Sequence, residues 1–164
     1  MRKAKALVFA SLLVIGLVSC TPQAEVKTEV RPQNSTGYDS ELALELGADE
    51  YGMRSYVMVI LKTGPADITD AERRQEIFAG HFSNMGILAK EGKLVLAGPF
   101  MDAGDKRGLY IFNVATIEEA KEIVLTDPAV AAGIFTPEFT KYYGSAALMQ
   151  VNAIHTKIQK TKIE

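Results

Sequence analysis

At 164 residues with 48% apolar side chains, the chain has the length and hydrophobic content for one compact domain plus extensions, which excludes a disordered polar polymer. A formal net charge of -2 leaves no basic footprint for nucleic acid. One cysteine, Cys20, excludes a disulfide scaffold, and with only two histidines it leaves no credible metal site, so neither a metal nor a cofactor is expected.

Residues 1–19 carry the marks of an export signal. Met1, Arg2, Lys3, Ala4 and Lys5 form a positive start, residues 6–18 are apolar, and Leu17-Val18-Ser19-Cys20 closes the run. The closing tetrad resembles the lipobox of bacterial lipoproteins. That resemblance implies cleavage before Cys20, thioether lipidation of its sulfur and acylation of the new N-terminus. A location in the cell envelope follows, lipid-anchored on the periplasmic side or at the outer membrane. The other reading is an ordinary secretory signal in which Cys20 is incidental. Loss of Arg2, Lys3 and Lys5 removes three positive charges from the net of -2 and leaves -5, so attachment would come from lipid rather than a basic patch.

Residues 20–52 are expected as the lipidated cysteine, a flexible tether and a short helix. The run from Thr21 is polar, contains proline and has no period. Asp39 or Ser40 then offers an N-cap, Leu42, Leu44 and Leu46 an apolar side, and Gly47 a stop.

The main domain is expected over residues 53–150. Its first strand, residues 55–62, is apolar on both parities, which implies cover on both faces. Thr69-Asp70-Ala71-Glu72 reads as a capping box that opens a long helix with Thr69 as cap; Ile77, His81, Met85 and Leu88 recur at helical spacing, and Gly92 lies past its end. Residues 93–97 and 108–115 read as two strands, the first stopped by Gly98-Pro99, with Asp102, Asp105 and Arg107 in the solvated connection between them. A second capping box, Thr116 to Glu119, opens another helix, and Asp127-Pro128 ends it and caps a short turn. Residues 134–143 form a last strand in which Pro137 suits an edge. A helical segment over residues 145–155 and a basic C-terminal tail over residues 151–164, charged and frayed from Lys157 on, complete the chain.

Strand, helix, strand, strand, helix, strand is the α+β, ferredoxin-like βαββαβ order, with both helices on one face of a four-stranded antiparallel sheet. Two helices cover one face only. The apolar runs therefore predict a homodimer packed sheet to sheet.

These landmarks bring the chain close to a known family. His81 in the first long helix, Gly92-Lys93-Leu94, Ala97-Gly98-Pro99, Gly108 and Asp127-Pro128 together resemble the YCII-related proteins over residues 56–143. The resemblance implies a dimeric α+β barrel and a His-Asp dyad in a cleft, which falls here on His81 and Asp127. It also implies a small-molecule ligand and, as in a few relatives, elimination chemistry on ring compounds. Phe78 stands where many relatives carry a basic residue.

An imidazole oriented by a carboxylate suits proton transfer near neutral pH, which points to lyase or isomerase chemistry with His81 and Asp127 as the catalytic pair. The competing reading makes His81 a satisfied core histidine, Asp127 a cap, and the protein a non-catalytic binding or envelope-structural module. Ser83 and Asn84 lie within a turn of His81 as ligand-binding candidates, as does Tyr142 at the end of the last strand. A solvent-facing place on the helix explains the first two as well, and packing in the core the third. His155, in the basic tail, is expected to be exposed.

Overall fold

The computed structural model describes residues 37–101 and 104–161. The anticipated lipidation site at Cys20 and its flanking tether, together with Asp102, lie outside the described residues.

The first described element is the short helix α1, Ser40–Glu45, whose Asp39 cap accepts from the Leu42 amide at 2.9 Å. Strand β1, Met53–Thr63, follows. Helix α2, Ala71–Lys90, begins one residue later than the capping box suggests, because Asp70 rather than Thr69 caps it and accepts from the Arg73 amide at 2.6 Å. A carboxylate there meets both the orphan amide and the positive end of the helix, an advantage a hydroxyl lacks. At the other end Gly92 takes φ +70°, and the amides of Gly92 and Lys93 return to Ala89 and Leu88.

Strand β2, Leu94–Pro99, runs through Gly98-Pro99 instead of stopping there. It is an edge strand, so the missing proline N–H falls on the unpaired side and costs no ladder bond. Strand β3, Lys106–Phe112, helix α3, Ile117–Val124, the single turn α4, Pro128–Ala131, and strand β4, Phe135–Ser145, complete the main order. Thr116 caps α3 through the Glu119 amide at 3.1 Å, while Glu119 returns to the Ala115 amide. The sheet is antiparallel throughout in the order β2-β3-β1-β4, which is the ferredoxin-like arrangement. Pro137 sits on the other edge strand, opposite Leu61.

Register decides which side chains meet. Val57, Val59 and Leu61 of β1 stand beside Phe112, Tyr110 and Gly108 of β3, and on the other side beside Lys141, Phe139 and Pro137 of β4. This face carries the helices: Leu88 of α2 and Ala120, Ile123 and Val124 of α3 close on Val57, Val59, Tyr110 and Phe112. Tyr56, Ile111 and Val95 point to the opposite face, and their cover comes from the same chain. After β4 a 3-10 turn, Ala146–Gln150, and helix α5, Val151–Ile158, fold back so that Leu148 and Met149 pack on them. Asn152 Nδ2 donates to Leu94 O at 2.7 Å and ties α5 to the edge of the sheet. The segment expected to be helical is so, and α5 carries the helix to residue 158, two residues into the stretch expected as frayed. The apolar residue patterning of β1 and β3 finds at least part of its second cover there, although Met58, Ile60, Leu96 and Leu109 stay only half-buried.

Candidate functional site

The site forms where α2, α4 and β3 converge. His81 lies near the middle of α2 on its core stripe, and Asp127 follows α3 and caps α4. Their meeting depends on a glycine: Gly80 faces Pro128, and a Cβ added at Gly80 would lie 2.9 Å from Pro128 Cγ. Its missing side chain lets the α4 turn approach α2 closely enough for the residue before Pro128 to reach the residue after Gly80.

His81 Nδ1 lies 2.9 Å from Oδ1 and 2.8 Å from Oδ2 of Asp127. The Ala129 amide donates to Oδ1 at 2.9 Å, so Asp127 also performs the capping role its sequence suggests. A third residue joins them. Tyr110, on the inward parity of β3, donates its hydroxyl to Oδ2 at 2.9 Å and stands 3.3 Å from His81 Nδ1. All three are buried: His81 is 7% exposed, Asp127 1% and Tyr110 4%.

Every partner of the carboxylate is a donor. Burial works to raise the Asp127 pKa, but the hydrogen bond and charge of His81, the Ala129 amide and the Tyr110 hydroxyl outweigh it and hold the carboxyl below its ordinary value. Burial, then the Asp127 charge and hydrogen bond, push the Tyr110 phenol well above its usual range, so the phenol stays protonated and donates. An ionised Asp127 receives the proton on Nδ1, which leaves the lone pair of a neutral His81 on Nε2. Nε2 makes no hydrogen bond with the described residues, and the one fully buried side-chain polar atom among them without a partner is Arg54 Nε. Around the ring stand Phe82 at 5.3 Å, Phe135 at 5.6 Å, Phe78 at 5.9 Å and Tyr110 at 6.2 Å between centroids. The Arg74 guanidinium lies 5.1 Å over the Phe78 ring. One turn away, a groove of about 500 Å³ runs between α2 and α4, lined by Arg73, Glu76, Ile77, Gly80, Pro128, Ala131 and Ala132.

The other sequence candidates fall elsewhere. Ser83 is exposed on α2. Asn84 is half-buried and accepts at Oδ1 from the Thr126 hydroxyl at 3.3 Å, so it bridges to the end of α3 beside Asp127. Tyr142 pairs with Tyr56 across β1 and β4, their rings 6.3 Å apart, and this puts it on the face of the sheet opposite His81. Strand parity separates the two. Tyr143 donates instead to Asp49, whose other oxygen accepts the Tyr51 and Met53 amides at 2.9 Å. His155 is exposed on α5. Among the described residues no group of three or more histidine, cysteine or acidic side chains stands ready to hold a metal ion.

Tyr110 is the member sequence reasoning missed. Its signal was the neighbouring parity: Tyr110 and Phe112 share the helix-facing side of one strand, and a tyrosine buried there needs a partner for its hydroxyl.

A family model described as the YCII-related domain matches residues 55–137. Uncharacterized protein YjpA of Bacillus subtilis (strain 168) is 36% identical over 81 residues, which cover 49% of this chain and 85% of that protein. Among solved structures, 5-chloro-2-hydroxyhydroquinone dehydrochlorinase (TftG) from Burkholderia phenoliruptrix AC1100, in complex with 2,5-dihydroxybenzoquinone, is similar at 19% identity. That match has a TM-score of 0.37 and covers 52% of this chain and 90% of the other.

Proposed function

Since the chain belongs to the YCII-related domain family, we propose that it performs proton-transfer chemistry of the lyase or isomerase type on a small molecule, with His81 as base and acid and Asp127 as the group that orients it. The observation that carries this reading is the buried His81-Asp127 contact at 2.8 Å, in which every partner of the carboxylate donates to it. Structural ion pairs are also buried, but a histidine kept only for packing has no need of a carboxylate held ionised against desolvation. In the proposed step Nε2 takes a proton from an activated carbon of the substrate, the imidazolium is supported by Asp127, and the same nitrogen returns the proton to a neighbouring atom or to a leaving group. The three phenylalanine rings around His81 would keep water from the exchanging proton.

The test is solvent deuterium incorporation into a panel of carbon acids, such as cyclic enones and β-keto acids, read by mass spectrometry. Incorporation is expected with the unsubstituted chain, with a fall of 10²-fold or more, the order typical of a lost general base, in H81N. Equal incorporation by a folded H81N would remove His81 from the mechanism and favour the non-catalytic binding module.

We place this activity at the cell envelope, on the support of the Leu17-Val18-Ser19-Cys20 tetrad behind an apolar run. A lipid-bearing N-terminal peptide beginning at Cys20 is the expected mass-spectrometric product, and C20S is expected to leave the membrane fraction. A C20S chain that stays membrane-bound would discard the anchor.

A further inference from the structure

We propose that Tyr110 is a positioning residue of this site: by tying Oδ2 of Asp127 it holds the carboxylate turned to His81 Nδ1, and so supports the proton on Nδ1 and the lone pair of the neutral imidazole on Nε2. The inference rests on the proton-transfer reading of His81 for its purpose, though not for its measurement.

The geometry leaves Tyr110 little else to do. Its hydroxyl is buried on the inward face of β3, and the acceptors in reach are Asp127 Oδ2 at 2.9 Å and His81 Nδ1 at 3.3 Å. With a proton on Nδ1 only Oδ2 accepts, so the hydroxyl proton belongs to the carboxylate. The titratable groups acting on Asp127 are His81 from α2 and Tyr110 from β3, and its own α4 turn supplies the Ala129 amide. Against them stands desolvation, which favours a protonated carboxyl. A protonated Asp127 would reverse the pair: its O–H would donate to Nδ1, the ring proton would sit on Nε2, and the nitrogen away from Asp127 would no longer be a base. Tyr110 is one of the donors that oppose that tautomer, beside His81 and the Ala129 amide. The ring also stacks along the imidazole, 6.2 Å between centroids at 29°, which limits rotation of His81 about its own bond to Asp127.

The experiment follows Asp127 Cγ and the His81 ring nitrogens by NMR in the full chain and in Tyr110→Phe. Loss of one hydrogen bond to a buried carboxylate is expected to move the Asp127 titration upward by about one pH unit, a tenfold change, and the His81 Nδ1 signal should shift as the carboxylate it contacts turns away. A role confined to packing would move neither signal, since phenylalanine keeps the ring. An unchanged Asp127 titration in a folded Y110F overturns the proposal. Should Y110F fail to fold, the chain is grown with 3-fluorotyrosine, whose more acidic phenol donates more strongly; a downward shift of Asp127 supports the proposal and no shift overturns it. If Asp127 shifts as expected while H81N incorporates deuterium like the unsubstituted chain, the assignment of Tyr110 stands and the proton-transfer reading falls.

Discussion

Asp127 receives hydrogen bonds from a helix side chain, a strand side chain and its own turn, and each of them favours its charged form. The consequence for stability has a definite sign. Because its folded pKa lies below the ordinary aspartate value of about 3.9, the group contributes stability that is fully present above that value and lost as pH falls through the folded one. Asp127→Asn removes the charge and reverses part of the donor pattern. It is expected to lower unfolding free energy at pH 7 by about 1.5–3 kcal/mol, the worth of hydrogen bonds to a charged group. The difference from the unsubstituted chain should shrink below about pH 4. Urea unfolding at pH 7 and pH 3 measures both, and a difference that is the same at the two pH values would contradict the ionised pair. His81 and Asp127 were individually readable in the sequence, one on the core stripe of a helix and one as a cap before proline. Their contact was not readable from spacing, because 46 residues separate them, and it was expected only as what the family resemblance implies.

At the scale of elements, α2 and α4 meet through Gly80 and Pro128, and the site depends on that approach. A Cβ at Gly80 would sit 2.9 Å from the proline ring, so something must shift. Gly80→Ala gains about 1 kcal/mol of helix propensity if the site is ignored. Overpacking of about 1–3 kcal/mol opposes that gain. We expect a net change near zero to modestly destabilising together with a lengthened His81-Asp127 contact, visible as a change in the His81 ring nitrogen shifts. A stabilised variant with unaltered shifts would show that α4 has room to spare. Element types were legible because apolar spacing, capping residues and glycine stops agreed along the chain. Boundaries were less so: Asp70 displaced Thr69 as cap, and β2 continued through Pro99 because an edge strand tolerates proline.

For the whole molecule, assembly turns on the second face of the sheet. Leu148 and Met149 cover Tyr56, Val95 and Ile111, while Met58, Ile60, Leu96 and Leu109 remain half-buried and Tyr142 is 37% exposed. A second copy of the chain laid on that strip is the homodimer the sequence suggests. Light scattering at micromolar concentration is expected to give twice the chain mass, and Ile60→Lys to return a folded monomer. A monomeric unsubstituted chain would mean that the 3-10 turn and α5 suffice as cover.

Periodicity, capping signals and turn residues by themselves determined the βαββαβ order, since it depends on neighbours a few positions apart. They also marked His81 and Asp127 as candidates. Only the tertiary structure decided that Gly80 brings the two together, that Tyr110 completes the cluster, that Tyr142 lies across the sheet from it, and that the C-terminal segment serves as cover. Each of those depends on strand pairing and close approach between distant parts of the chain, and local spacing carries no record of either.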